Sequence, residues 1–100
     1  MMPFKVIYEE FPAEAQGIYG AVQKRKTGYL ILINSLLTDE QKKSTLCHEL
    51  AHIVLDHFAN IPEDADQCFF CGLDTQEAEA DQYAANMTET EFEALMQLAI

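Results

Sequence analysis

Thr38–Asp39–Glu40–Gln41–Lys42–Lys43–Ser44–Thr45–Leu46–Cys47–His48–Glu49–Leu50–Ala51–His52–Ile53–Val54–Leu55 is the stretch whose reading decides the fold of this 100-residue chain. Thr38 and Gln41 have the spacing of a capping box, in which each side chain satisfies an otherwise orphaned backbone N–H. Asp39 and Glu40 fall in the first turn, where the helix dipole favours acids. Leu46, Leu50, Ile53, Val54 and Leu55 recur at helical spacing. Together they predict a long helix that starts after Thr38 and fades over residues 57–60, ahead of Ile61–Pro62. On such a helix His48 and His52 return to nearly the same azimuth one turn apart, so both imidazoles can reach a single metal ion. Glu49 stands beside them, suited to hold a water against that metal. This His-Glu-x-x-His pattern arises by chance in only about one chain in a hundred of this composition.

Upstream the chain leans to strands. Residues 4–8 alternate weakly, residues 17–22 are short and Gly-flanked, and Tyr29–Leu30–Ile31–Leu32–Ile33 is an apolar run after Gly28. The polar residues 23–28 between the last two read as a hairpin loop. Downstream, residues 61–73 read as a loop. A second helix is expected from Asp74 or Thr75 to about Met87, and a third is capped by Thr88 and Glu91, with Phe92, Leu95, Met96 and Ala99 on one side. The fold class is therefore α+β: a small antiparallel sheet of about three strands packed on the His-Glu-x-x-His helix, followed by one or two further helices. Length and composition, 49% hydrophobic and 23% charged, give a single domain over residues 1–100. No apolar run reaches the ~20 residues of a membrane span, and Met1–Met2–Pro3–Phe4–Lys5 is not an apolar leader, so a cytoplasmic location and no membrane partner are expected. Three cysteines without a leader argue against a disulfide framework. Cys68 and Cys71 read as reduced thiols in a loop, since half a structural zinc site lacks its other two ligands.

Charge divides the chain. Residues 1–43 hold all six bases against five acids, and residues 44–100 hold twelve acids and no base. Such acidity repels phosphate backbones, so no direct nucleic-acid partner is expected. The acids serve as solvated helix faces, or as a surface for a basic protein.

A catalytic zinc takes three protein ligands and keeps one position open. His57 falls about 180° from His48 on an ideal helix, with no Gly to redirect the chain, and reads as a helix-end residue against the dipole. Asp56 stays on the metal side but would crowd a site on its own helix. The next helix, Thr75–Gln76–Glu77–Ala78–Glu79–Ala80–Asp81–Gln82–Tyr83–Ala84–Ala85, is the better source. Glu77 and Asp81 share a face, so Glu77 can ligate while Asp81 accepts the N–H of a ligating His. Glu79 is the rival ligand, and Tyr83, four residues on, cannot replace Asp81. The alanines at 78, 80, 84 and 85 would let the two helices pack closely.

With these segments in order, residues 31–34, 43–57 and 77–85, the sequence resembles the ImmA/IrrE family of metallopeptidases over about residues 17–87. The resemblance implies a thermolysin-like zincin core, one zinc per chain held by His48, His52 and Glu77, and Asp81 at the family's Asn-or-Asp position. It also implies peptide cleavage in a protein substrate, a helix-turn-helix repressor of a mobile element or stress regulon. Where the family commonly carries a Met-Pro element, this chain has Met87–Thr88. Glu49 would take the proton of the attacking water and pass it to the leaving amine. Residues 29–33 are expected to offer a sheet edge to an extended substrate. The alternative is a non-catalytic module of the same fold that binds and inhibits a basic DNA-binding partner. An intact Glu49 favours the enzyme, because metal binding alone needs no base there.

Overall fold

In the computed structural model, which describes residues 3–12, 18–57 and 74–99, three strands precede three helices: β1 (Phe4–Glu9), β2 (Gly20–Arg25), β3 (Gly28–Asn34), α1 (Asp39–Val54), α2 (Asp74–Asn86) and α3 (Glu89–Met96). The strands form one sheet in the order β1-β3-β2. β2 and β3 make an antiparallel hairpin, in register from Gly20 opposite Ile33 to Arg25 opposite Gly28. Gln23, Lys24 and Arg25, expected in the loop, belong to β2, and the turn is reduced to Lys26–Thr27. Their polar side chains suit a strand at the side of a sheet as well as they suit a loop.

β1 lies on the other flank of β3 and runs parallel to it, from Phe4 opposite Tyr29 to Glu9 opposite Asn34. The sheet is thus mixed, where an all-antiparallel one was expected. The chain reverses twice between β1 and β3, once into β2 and once out of it, so β3 returns in the direction of β1 and can pair with it only in parallel. The same order corrects a second expectation. Residues 29–33 belong to the central strand, with both flanks paired, and cannot accept an added substrate strand.

Alternation along β3 decides where the core lies. Tyr29, Ile31 and Ile33 are buried on one face, and Phe4 and Val22 join them from the neighbouring strands. α1 covers this face with Leu46, Leu50 and Ile53. Its start is as the sequence predicts: the Gln41 N–H donates to Thr38 Oγ1 at 3.1 Å, and the Thr38 N–H donates to Gln41 Oε1 at 3.0 Å. The entry from β3 is set by Asn34, whose buried Oδ1 accepts the Leu36 N–H at 3.1 Å. α3 is capped by Thr88 and adds Phe92, Leu95 and Met96 to the rim of the core. Beyond it, the Phe4 N–H donates to the Leu98 carbonyl at 3.2 Å, and Ala99 forms a parallel bridge with Phe4. Lys43 to Glu89, and Tyr83 to Glu91 at 2.5 Å, tie α3 to the other two helices. No described helix is long and apolar enough to cross a membrane.

Gly28 closes the hairpin against the segment before β1. Its φ is +155°, and a Cβ there would lie 2.1 Å from the Pro3 carbonyl oxygen, which itself accepts the Tyr29 N–H. Because the obstacle is backbone, it cannot swing aside. We expect Gly28→Ala to destabilise the fold by about 2 kcal/mol or more. Thr38→Ala should cost about 1 kcal/mol by removing the cap. Urea unfolding of both variants checks the ranking, which fails if Gly28→Ala is the milder.

Candidate metal centre

α1 faces the sheet with its leucines and turns the next part of its circumference towards α2. His48, His52 and Glu77 meet there. His48 Nε2 lies 2.8 Å from Glu77 Oε2, His52 Nε2 lies 3.3 Å from the same oxygen, and the two Nε2 atoms are 3.1 Å apart. Ligands at 2.0–2.1 Å from a tetrahedral zinc are about 3.3 Å from one another, so the three donors span one face of such a tetrahedron. Two neutral imidazoles and a carboxylate are also the donor chemistry that zinc takes.

The approach of α2 to α1 rests on one residue. Ala80 is wholly buried, whereas Ala78 and Ala85 are exposed and Ala84 is half-buried, so of the four expected alanines it is Ala80 that sets the separation. One turn on from Glu77, Asp81 places Oδ1 2.8 Å from His48 Nδ1. A carboxylate can only accept, so Nδ1–H donates to Asp81, and a metal among His48, His52 and Glu77 would take the Nε2 lone pair.

Glu49 is buried, and its Oε2 has no hydrogen-bond partner. Burial, and then the charge of Glu77, push its pKa from 4.5 up to about 8. His52 is lowered, chiefly by burial and against the pull of Glu77, so it favours the neutral imidazole that a metal requires. A cation among His48, His52 and Glu77 would act on Glu49 in the opposite sense to Glu77 and return it to the charged form.

His57 is not where an ideal helix would put it. Leu55 caps α1, and Asp56 takes φ +58°. The Asp56 N–H donates to the Ile53 carbonyl at 3.1 Å and the His57 N–H to the His52 carbonyl at 3.0 Å. These are the two bonds of a Schellman turn, built here on Asp instead of the usual Gly. It folds the chain back and brings His57 Nδ1 to 2.8 Å from His52 Nδ1. His57 Nε2 is 3.5 Å from Glu79 Oε1, so the rival ligand Glu79 faces His57 and stands outside the three-donor cluster. Asp56 is exposed and serves the turn. Only its Asp, a residue that tolerates the left-handed region, signalled this geometry in the sequence.

A groove of about 610 Å³ runs beside His48 and Asp81, with Lys43, Ser44, Cys47 and Ala84 among its walls. Burial raises the pKa of the Cys47 thiol, leaving it in its protonated form. Cys68, Cys71 and the expected loop at 61–73 lie outside the described residues.

Over residues 2–99 the sequence matches a peptidase family, the IrrE N-terminal-like domain. The chain belongs to this family. Comparison with curated proteins and with solved structures gives no match. The IrrE-like assignment makes this a metallopeptidase-like domain, in keeping with a donor cluster drawn from the His-Glu-x-x-His helix and the helix after it.

The position of Glu49 in this IrrE-like domain predicts how the metal-free protein responds to pH. Its folded pKa exceeds its unfolded one, so its contribution to stability is complete below about pH 4.5 and is lost as pH rises through about 8. At about 1.36 kcal/mol per pKa unit the loss is at most about 5 kcal/mol. Glu49→Gln should remove this slope. Urea midpoints of both proteins in chelator, from pH 4.5 to above 8, test it; parallel pH profiles would show that Glu49 is not so perturbed.

Proposed function

We propose that this domain is a zinc-dependent metallopeptidase that cleaves a protein, a helix-turn-helix repressor of a mobile element or stress regulon. The observation that carries the proposal is the convergence of His48 Nε2, His52 Nε2 and Glu77 Oε2 at tetrahedral-edge spacing beside a buried carboxylate that lacks a partner. Zinc, when bound, supplies Lewis-acid polarisation of the scissile carbonyl and of the attacking water. His48, His52 and Glu77 would hold it. Asp81 orients His48 by accepting its Nδ1–H. Glu49 is the base: its unpartnered Oε2 takes the proton of the attacking water and delivers it to the leaving amine. The groove beside His48 offers room for a peptide segment, and its position on α1 and α2 would keep that segment next to the donors. The acidic half of the chain complements a basic DNA-binding partner.

Elemental analysis of protein purified without added metal should find about one zinc per chain. Glu77→Ala should lose it and Glu79→Ala should keep it. Glu49→Gln should retain the zinc while repressor cleavage falls by about 10²–10⁴-fold. No zinc after reconstitution would remove the metal from the reading, and full relief of repression by Glu49→Gln would replace the peptidase by a binding module.

A further inference from the structure

We propose that His57 and Glu79 form a relay that orients His52, with His52 Nδ1–H donating to His57 Nδ1 and the charge of Glu79, 3.5 Å from His57 Nε2, holding the His57 proton on that nitrogen. The inference rests on His52 being a metal ligand through Nε2. It stands on the Schellman turn that carries His57 back over the end of α1, and on two separations: 2.8 Å between the Nδ1 atoms of His52 and His57, and 3.5 Å between His57 Nε2 and Glu79 Oε1.

The direction follows from which groups can donate. Two neutral imidazoles facing each other through nitrogen are ambiguous, since either can carry the proton. A carboxylate at the far end biases the pair towards one tautomer, because Glu79 can only accept and a metal among the three donors would take the His52 Nε2 lone pair. His57 then bears its proton on Nε2, its Nδ1 presents a lone pair, and the proton between the rings belongs to His52. His52 Nε2 is left unprotonated, facing Glu77 and His48. An imidazole left to itself prefers the opposite tautomer. Glu77 Oε2 at 3.3 Å and His48 Nε2 at 3.1 Å would also accept a proton on His52 Nε2, so without a directing partner the ligating form is disfavoured.

The two ligating histidines are thereby supported in different ways from the same helix. His48 is backed directly by Asp81, and His52 is backed by Glu79 at one remove through His57. His57 and Glu79 are positioning residues: neither belongs to the three-donor cluster.

The test is zinc affinity, measured by chelator competition on the full chain with zinc alone, together with nitrogen-15 spectroscopy of the zinc-loaded protein. His57→Ala should weaken zinc binding about 10- to 100-fold. His57→Gln, whose amide oxygen can accept the His52 proton, should restore most of it. Glu79→Gln, at an exposed helix position, should weaken binding by a smaller factor and carries the test if His57→Ala does not fold. In the wild type the proton between the rings should be bonded to His52 Nδ1 and show coupling across the hydrogen bond to His57 Nδ1, a signature that a packing role would not produce. Unchanged affinity in folded His57→Ala and in Glu79→Gln, or a proton bonded to His57 Nδ1, overturns the relay while leaving the metal site intact. Wild-type protein that takes up no zinc overturns the metal reading, and the relay with it.

Discussion

One turn of helix separates His48 from His52, and that turn has to serve the core and the site at once. Leu46, Leu50 and Ile53 must face the sheet for the domain to hold together. The histidines must face α2, and Glu49 lies between the two directions, where it is buried and has an oxygen without a partner. A rotation of α1 that relieved Glu49 by turning it to water would pull leucines off the sheet and separate the imidazoles from Glu77. Packing of the apolar face therefore holds the carboxylate in an environment that it would not choose.

The site is correspondingly unbalanced without a cation. Two carboxyl groups, Glu49 and Glu77, stand near a His52 whose charged form is itself disfavoured by burial. A metal ion is the simplest group that satisfies both acids and both imidazoles. The carboxylates of α2 lie around this centre at graded distance: Glu77 at the donors, Asp81 behind His48, and Glu79 behind His57.

Much of this was legible because its causes are local. The capping box at Thr38, the period of Leu46, Leu50 and Ile53, and the cap at Thr88 are each decided within a few residues, and the corresponding helices start where the sequence places them. The i,i+4 relations of His48 with His52 and of Glu77 with Asp81 are equally local. The orientation of β1 was not legible, because whether a strand pairs in parallel depends on how often the chain turns before its partner arrives. The end of β2 is hidden for a related reason: Gln23, Lys24 and Arg25 have loop chemistry but are held in register by β3. The position of His57 is not legible either, because the azimuth of an ideal helix stops applying at Asp56, where a non-glycine residue adopts positive φ.

The contact of Phe4 with Leu98 and Ala99 bears on the order of assembly. The β2–β3 hairpin and the capped helix after it are built from neighbours in sequence and can form while the rest of the chain is still being synthesised. β1 is different: it pairs with a strand that follows the hairpin, and its Phe4 is also held by residues near position 99. That closure spans nearly the whole described chain, so its loop entropy is met only when the last helix has docked. The first strand of the domain is therefore among the last to be fastened.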